Sequence, residues 1–208
     1  MYKKYIKRML DVLISFLGLV ILSPLYLLLA GLVRAKLGSP VIFRQERTGV
    51  NGKPFVMCKF RTMTNKTDEQ GVLLPDEERQ TRFGNFLRST SLDELPELYN
   101  IFKGDCSIIG PRPLPVSYKE YLSPEETVIY SVRGGLIPPD CVSGKTVISW
   151  EEQFAYEMEY AKNITFRKDL KILFSVVKIV FRRVETDYGA EVREALPVHR
   201  KEWHNDNK

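Results

Sequence analysis

Residues 12–33 have the sequence VLISFLGLVILSPLYLLLAGLV, which contains no charged residue. The length matches a transmembrane helix, which needs roughly 20 apolar residues. Ser23 and Pro24 stand near the middle, and a proline there removes a backbone hydrogen bond and clashes with the preceding turn. Each arm would then measure roughly 15–20 Å, well short of the ~30 Å hydrocarbon core. The stretch therefore predicts a re-entrant membrane helix that is broken at Ser23-Pro24.

Basic residues flank this apolar stretch on both sides, namely Lys3, Lys4, Lys7 and Arg8 before it and Arg34 and Lys36 after it. Positive charge at both ends gives the positive-inside rule no direction for a crossing, which favours a return to the cytoplasmic face. Asp11, at the edge of the stretch, is expected at headgroup depth. A proline-kinked span is the alternative. A cleaved signal peptide is disfavoured, because no A-x-A site is present and Arg34 interrupts the candidate region.

The overall composition indicates one globular domain. The chain has 208 residues, of which 44% are hydrophobic and 27% charged, enough for a single core. Lys and Arg outnumber Asp and Glu by 31 to 26, a balance that suits an anionic lipid surface or a phosphorylated substrate. The sequence has no basic stripe with interleaved aromatic residues, which argues against nucleic acid as a partner. The three cysteines are widely spaced without a CxxC pair, which argues against a disulfide framework or a zinc site.

The pattern after the apolar stretch predicts an α+β domain that is predominantly helical. The dipeptide Asn51-Gly52 is a strong hairpin signal. Strands are expected at 41–43 and 55–60, and helices over 76–87, from about Asp93, and over 150–183.

The last helical region ends in a basic amphipathic helix over 166–183. Such a helix can lie at a membrane interface or pack in the core, and the sequence leaves both readings open. The segment after Thr186 is polar and is expected to be peripheral.

Asp93-Glu94 is the focal point for chemistry. Ser91 and Glu94 have the S-x-x-E spacing of a capping box, which predicts a helix that starts close to Asp93. The helix dipole at such a position favours an ionised carboxylate and a bound phosphate. An ionised carboxylate can attack phosphorus, or hold Mg²⁺ together with substrate phosphates. Simple helix capping is the competing interpretation, since acidic residues in a first turn are common.

Basic residues near this pair strengthen the chemical interpretation. Lys59 and Arg61 belong to the second predicted strand or follow it, and Arg88 lies just before the acidic pair. Arg112 stands between two prolines, which restrict the backbone and so direct one guanidinium, a bidentate phosphate ligand. An isolated basic residue is usually just solvated, so it is the combination with the acidic pair that indicates a phosphate site.

The run over 88–113, RSTSLDELPELYNIFKGDCSIIGPRP, closely resembles the signature of the bacterial sugar transferases, the monotopic polyprenol-phosphate phosphoglycosyl transferases. The resemblance also covers the apolar stretch with Ser23-Pro24, the strand around Lys59 and the segment 148–163. It extends over most of the chain, to about residue 183. The central run is long and specific, so chance is not a serious explanation for it.

The resemblance implies roles for particular residues. Asp93 would be the nucleophile, carrying a covalent phosphosugar after UMP leaves, and polyprenol phosphate would then attack in a ping-pong sequence. Glu94 would assist at the metal or in proton handling. Mg²⁺ would neutralise the diphosphate, with Asp93 as its ligand and Glu94 as a second candidate. Lys59, Arg88 and Arg112 would hold phosphates.

The resemblance also implies a location and partners. The chain would divide into a re-entrant membrane helix (1–36), a cytoplasmic catalytic domain with short strands and interfacial amphipathic helices (37–185), and a polar C-terminal tail (186–208). It would sit as a monotopic protein on the cytoplasmic face of the bacterial inner membrane and catalyse the first step of a glycan assembly pathway. Its partners would be a UDP-sugar, polyprenol (undecaprenyl) phosphate and an anionic phospholipid membrane. A homodimer is left open.

One stretch, 133–145, departs from the family pattern. Arg133 and Gly144 match it, whereas Gly134 replaces a proline and Lys145 stands where an arginine is expected, which lysine cannot imitate in bidentate contacts. Arg133 and Lys145 are therefore candidates for a donor-binding loop with an altered choice of sugar. Two alternatives stay open: direct transfer in a ternary complex with Asp93 serving only the metal, and an inactive membrane scaffold of the same fold.

Overall fold

The computed structural model describes residues 1–145, 147–183 and 193–201, with side chains up to 176 in the last long helix. The described chain is mostly helical, with two small sheets, as predicted. The helices are α1 (Lys7–Ile21), α2 (Ser23–Leu37), α3 (Asp76–Arg79), α4 (Arg82–Ser89), α5 (Glu97–Lys103), α6 (Trp150–Lys162), α7 (Phe166–Arg183) and α8 (Leu196–His199). The strands are β1 (Ile42–Thr48), β2 (Pro54–Phe60), β3 (Ser107–Ile109) and β4 (Gly135–Ile137).

The apolar stretch forms two helices, as its proline predicts. A short π-helical segment, Tyr2–Ile6, leads into α1, and the helical axis then bends by 64° before α2. Pro24 lies in the first turn of α2, where its missing N–H would have no partner anyway. The Ser23 hydroxyl donates to the Val20 carbonyl at 2.8 Å, which gives one of the last carbonyls of α1 a hydrogen-bond partner. Within the described residues, no single helix is long and apolar enough to cross a bilayer, although the bent pair meets that test together.

The bent pair has one face on the domain and one face open. Leu29, Val33 and Leu37 of α2 pack with Phe60 and Leu87 in one of the buried clusters. Large apolar side chains of α1 remain exposed, including Met9, Leu13, Phe16, Val20 and Ile21. Burial of such a surface in a lipid phase would be favourable.

Asp11, whose predicted place at headgroup depth stays a prediction, is buried within the protein. Its side chain is 4% exposed, and it accepts hydrogen bonds from the Ser107 hydroxyl at 2.8 Å and the Ile108 amide at 3.0 Å. The carboxylate therefore fastens α1 to β3, since a buried charge is tolerated only with such partners.

The predicted hairpin is confirmed. β1 and β2 pair in antiparallel fashion, with Ile42 opposite Phe60 and Thr48 opposite Pro54. The turn places Asn51 at φ 56° and Gly52 at φ 71°, a left-handed conformation that these two residues adopt most easily. β1 extends well past 43 through polar residues, because backbone pairing does not depend on an apolar side chain.

The single helix predicted over 76–87 is wrong. Two helices, α3 and α4, are separated by extended backbone at Gln80 and Thr81. Thr81 caps α4, its hydroxyl accepting from the Gly84 amide at 3.0 Å. A β-carbon on Gly84 would lie 1.7 Å from the Thr62 carbonyl oxygen, so glycine lets α4 approach the strand end closely.

The helical region after Trp150 is also divided in two. The Ser149 hydroxyl caps α6 by accepting from the Glu152 amide at 3.1 Å, α6 ends at Lys162, and the Thr165 hydroxyl accepts from the Lys168 amide at the start of α7. In α7, Ile172 is 4% exposed and packs in the core, as one of the two interpretations predicts, whereas Phe174 is 68% exposed. The membrane-interface interpretation stays a prediction.

The predicted peripheral tail is corrected for residues 193–201, which pack against the domain. Leu196 is fully buried in a cluster with Trp150 and Phe154. Arg200 forms a bidentate ion pair with Glu126 at 2.7 and 2.8 Å. The local polarity of a segment does not predict the hydrophobic and ionic contacts that a short helix within it makes.

Candidate active site

Asp93 lies on a single 3₁₀ turn, Leu92–Glu94, that precedes α5. The predicted capping box is wrong: Ser91 has a left-handed backbone at φ 55°, and its side chain makes no cap hydrogen bond. α5 begins only at Glu97, after Pro96. Asp93 is therefore held by a tight turn and not by the first turn of a long helix.

One lysine joins the acidic residues of this turn and helix. Lys59, on β2, places its Nζ 2.7 Å from Glu94 Oε1 and 3.1 Å from Glu97 Oε1. The Glu97 side chain is only 4% exposed. The predicted site did not include Glu97; its spacing of four residues from Asp93 was the available signal, because residues so spaced share a helix face.

Burial controls the protonation of these carboxyls. Burial, assisted by the negative charge of Glu94, raises the pKa of Asp93 to about 6, against the opposing effect of Lys59 and Arg88. Burial likewise raises the pKa of Glu97 to about 7, although Lys59 opposes it. The helix dipole was expected to lower the pKa of Asp93, but desolvation, which disfavours a charged carboxylate, shifts that pKa upward instead.

Asp93 faces a cavity of about 460 Å³ between the β1–β2 hairpin and helices α3 and α4. Five basic residues line it, namely Arg47, Lys59, Arg61, Arg79 and Arg88. The two carboxylates in the lining belong to Asp93 and Asp76, and Asp76 is paired with Arg79. The cavity is therefore suited to a polyanion.

Two of the predicted phosphate ligands, Lys59 and Arg88, are brought together with Asp93 in this cavity. The Arg88 Nε donates to the Thr62 hydroxyl at 2.9 Å, which fixes its guanidinium. Arg61 has a different task, because its guanidinium donates to the carbonyls of Leu37 and Ser39 at the end of α2.

Arg112 is exposed and lies outside the lining of the cavity. Its backbone N–H donates to Glu157 Oε1 at 2.9 Å. Burial lowers the pKa of Arg47, and the charge of Arg112 contributes in the same direction. Arg112 is therefore close enough to Arg47, which does line the cavity, to influence it.

The predicted donor-loop residues are not brought to this cavity. Arg133 donates from Nε to the Gly104 carbonyl at 2.9 Å and lines a second cavity. Lys145 forms an ion pair with Glu152 at 2.9 Å. Neither residue lines the cavity that contains Asp93.

Asn100, which was not among the predicted site residues, ties α5 to β2. Its Oδ1 accepts from the Cys58 amide at 3.0 Å and its Nδ2 donates to the Val56 carbonyl at 2.7 Å. These bonds hold the strand at Val56 and Cys58, directly before Lys59. They fix the distance between Lys59 and the carboxylates on the other element.

Comparison with known proteins identifies relatives over most of the chain. A family model described as bacterial sugar transferase matches residues 2–183. An uncharacterized sugar transferase of Bacillus subtilis, EpsL, is 42% identical over 84% of this chain and 87% of that protein. The exopolysaccharide production protein ExoY of Sinorhizobium fredii is 36% identical over 84% of each chain. A UDP-glucose:undecaprenyl-phosphate glucose-1-phosphate transferase of Klebsiella pneumoniae is 36% identical over 82% of this chain but 39% of its own length.

Proposed function

This chain belongs to the bacterial sugar transferase family, and on that premise we propose that it transfers a sugar-1-phosphate from a UDP-sugar to polyprenol phosphate. The general reaction is a transfer of a sugar phosphate to undecaprenyl phosphate, as the names of its relatives state. We further propose that the transfer proceeds through a covalent phosphosugar on Asp93.

The observation that carries this proposal is the position of Asp93 in a cavity lined by five basic residues. A carboxylate that must attack a diphosphate needs the negative charge of its target to be neutralised. Lys59 and Arg88 are fixed beside it by ion pairing and by hydrogen bonding. The proposed arrangement therefore supplies a nucleophile and its electrostatic support in one place.

In the first step an Asp93 carboxylate oxygen attacks the phosphorus that carries the sugar. A bond forms between that oxygen and phosphorus, the bond from phosphorus to the bridging oxygen breaks, and UMP leaves with the electron pair. In the second step a phosphate oxygen of polyprenol phosphate attacks the same phosphorus. The bond to Asp93 breaks, which regenerates the carboxylate and yields polyprenol-diphosphate-sugar.

Mg²⁺ is the metal that the family implies, and the donor set of this site fits it. Within the described chain no group of three or more His, Cys, Asp or Glu side chains could hold a metal ion by protein ligands alone, but magnesium does not require such a group. Magnesium is usually bound by one or two carboxylates that share it with substrate phosphates. Asp93, with Glu94 as a second candidate, would hold the ion, which would neutralise diphosphate charge when bound.

The same proposal places the bent helix pair in the cytoplasmic leaflet as a re-entrant element. The 64° bend and the exposed apolar side chains of α1 support this placement. Lys3, Lys4, Arg34 and Lys36 at its two ends suit one anionic surface.

Intact mass measurement tests the covalent route. The full chain in detergent with Mg²⁺ is incubated with a panel of UDP-sugars in the absence of acceptor. An adduct of one phosphosugar on the parent protein and on Glu69→Gln, an exposed surface control, but not on Asp93→Asn, is the expected result. The donor that gives the adduct also identifies the sugar, which the 133–145 stretch leaves undetermined.

Two other results would redirect the proposal. Turnover after addition of polyprenol phosphate, without any adduct in its absence, would favour a ternary complex over the Asp93 intermediate. Neither an adduct nor turnover, with a properly folded protein and a broad donor panel, would support the inactive scaffold.

A further inference from the structure

A second basic cavity, of about 540 Å³, lies between the start of α1 and the turn that follows α5. It shares no lining residue with the cavity of Asp93. Five basic residues line it, namely Lys3, Lys4, Lys7, Arg8 and Arg133, against one carboxylate, that of Asp11. The excess of positive charge is therefore local and is not used in the proposed chemistry.

Two of these basic residues are held by the same turn of backbone. Arg8 donates to the carbonyls of Ile101 at 2.6 Å and Phe102 at 2.8 Å, and Arg133 donates to that of Gly104 at 2.9 Å. Gly104 has φ 104°, and a β-carbon there would lie 3.1 Å from an Arg8 nitrogen. Both guanidiniums are thus fixed in place by neutral acceptors.

The nearby carboxylates are already committed to other partners. Asp11 accepts from Ser107 and Ile108, and Asp169 accepts from Lys7 at 2.9 Å. In the part of the chain that the structure describes, Arg8 and Arg133 form no ion pair with a carboxylate. Burial lowers the pKa of Arg8, the charge of Arg133 adds to that effect, and the charge of Asp11 opposes it. The two guanidiniums are therefore close to each other, with one carboxylate among five basic residues.

Helix α1, which lines this cavity with Lys7, Arg8 and Asp11, also carries an exposed apolar face. The Phe102 ring, next to the turn that holds Arg8, lies 6.0 Å from the Phe16 ring of α1. Phe16 belongs to the exposed apolar face that includes Met9 and Leu13. A ligand here would meet fixed positive charge beside a surface suited to hydrocarbon.

We propose that this cavity binds the phosphate of an anionic phospholipid headgroup, with Lys4, Arg8 and Arg133 as its principal ligands. Guanidinium groups fixed in advance lose little freedom when they bind phosphate. The assignment to a lipid, as opposed to a free phosphate, follows from the adjoining apolar face. It rests on the membrane placement given above, but not on the chemistry assigned to Asp93.

Native mass spectrometry of the full chain, released from nanodiscs of phosphatidylcholine with phosphatidylglycerol, tests this site. Lys4→Gln/Arg133→Gln removes two exposed charges of the cavity and leaves Arg8 in place. Lys53→Gln/Lys66→Gln removes the same charge from exposed positions elsewhere. Retention of phosphatidylglycerol should be about tenfold lower in the cavity variant, unchanged in the control variant, and selective over phosphatidylcholine.

Other outcomes would overturn the proposal. Equal retention in both double variants would show that net charge, and not this cavity, attracts the lipid. Equal retention of the two lipids would show apolar association only. A second arm uses millimolar inorganic phosphate in neutral detergent: stabilisation of the parent protein but not of the cavity variant, with lipid retention alike in both, would assign the cavity to free phosphate.

The sugar-transfer assay on the same samples separates this proposal from the previous one. Retained lipid with neither an Asp93 adduct nor turnover on polyprenol phosphate would reject the reaction and keep the headgroup site. An adduct with no selective lipid retention would support the reaction and reject the headgroup site.

Discussion

Lys59 places its ammonium 3.1 Å from the carboxylate of Glu97, whose side chain is only 4% exposed. The same ammonium lies 2.7 Å from Glu94, so one cation serves two carboxyls next to a third, that of Asp93. Burial, with the negative charge of Glu94 adding to it, raises the pKa of both Asp93 and Glu97, and the shared charge of Lys59 only partly opposes that rise. These contacts make Lys59 the most consequential side chain of the site after Asp93.

Lys59→Met should destabilise the fold as well as abolish transfer. Glu97 would lose its cation while remaining buried, and removal of one partner from such a pair costs about 3 kcal/mol. Lys59→Met/Glu97→Gln should recover part of that loss, because the orphaned carboxyl is gone, yet stay inactive. Denaturant unfolding and adduct formation measure the two effects.

A matched control for this pair is Lys66→Met, which removes an exposed lysine. Its effect on the free energy of unfolding should stay within about 0.5 kcal/mol. If the double variant proved no more stable than Lys59→Met alone, the ion pair with Glu97 would not be the cause of the loss.

The ionisation of Asp93 should be visible directly. A carbon-13 NMR titration in metal-free buffer, assigned by comparison with Asp93→Asn, should give a midpoint near pH 6. Glu94→Gln should move that midpoint downward, since the Glu94 charge is the second cause of the raised pKa. A midpoint close to 4 in the parent protein would contradict the burial of this carboxyl.

The same raised pKa predicts that Asp93→Asn stabilises the protein. The folded-state pKa of about 6 exceeds the ordinary value of 3.8, so the stability associated with Asp93 is full below about pH 4 and is lost as pH rises through 6. An asparagine does not ionise. The variant should therefore be more stable above pH 6 by on the order of 1 kcal/mol, once solvent screening is allowed for, and the advantage should vanish at low pH in thermal unfolding.

Features that depend on neighbouring residues could be predicted from the sequence. Pro24 predicts the bend between α1 and α2, and Asn51-Gly52 predicts the hairpin turn, because each acts on its own backbone. The residues Asp93, Lys59 and Arg88 were also identified, first as an acidic pair with basic neighbours, and the resemblance to a family then supplied their roles. Local chemistry and a long matching motif are therefore enough to predict the central residues of the site.

Features that depend on distant contacts could not be predicted. Asp11 accepts a hydrogen bond from Ser107, which lies 96 positions away in the chain. No local sequence pattern predicts that an acidic residue next to an apolar stretch will be buried. The S-x-x-E spacing at Ser91 predicted a cap, but Pro96 delays α5 until Glu97. The placement of Arg133 in a different cavity from Asp93 likewise follows from tertiary packing.

Glu157→Gln should be well tolerated near neutral pH. Glu157 is fully buried, its Oε1 accepts from the Arg112 amide and the Gln153 side chain at 2.9 Å each, and burial raises its pKa to about 8. It is therefore mostly neutral at pH 7, which glutamine imitates. Stability of the parent protein should fall as pH rises through 8, and Glu157→Gln should remove that decline.

Glu157→Ala provides the contrast. It leaves the Arg112 amide and the Gln153 amide without their acceptor and opens a cavity, which together cost about 2–4 kcal/mol. The backbone that carries Arg112 would also lose its anchor, so kcat/KM should fall along with stability. Equal damage from the glutamine and alanine variants would mean that the charge of Glu157, and not its shape, is required.

Arg200→Gln tests the docking of residues 193–201. The Arg200–Glu126 pair is bidentate, and both side chains are about 12% exposed or less, so its loss should lower the free energy of unfolding by about 3 kcal/mol. Lys201→Gln, an exposed neighbour, should have almost no effect. Similar values for the two variants in urea unfolding would argue that this segment does not stabilise the domain.

The re-entrant placement predicts the side of the membrane on which the N-terminus lies. Single cysteines at Lys4 and Lys66, introduced after replacement of the three native cysteines, should both resist a membrane-impermeant maleimide in intact cells and both react after permeabilisation. In Pro24→Ala the restored N–H can bond the Val20 carbonyl, which the Ser23 hydroxyl otherwise occupies. A continuous helix over residues 7–37 would measure roughly 45 Å, enough to cross ~30 Å of hydrocarbon, so the Lys4 position should become labelled from outside in that variant. Labelling from outside in the parent protein would instead establish a kinked span and reject the re-entrant helix.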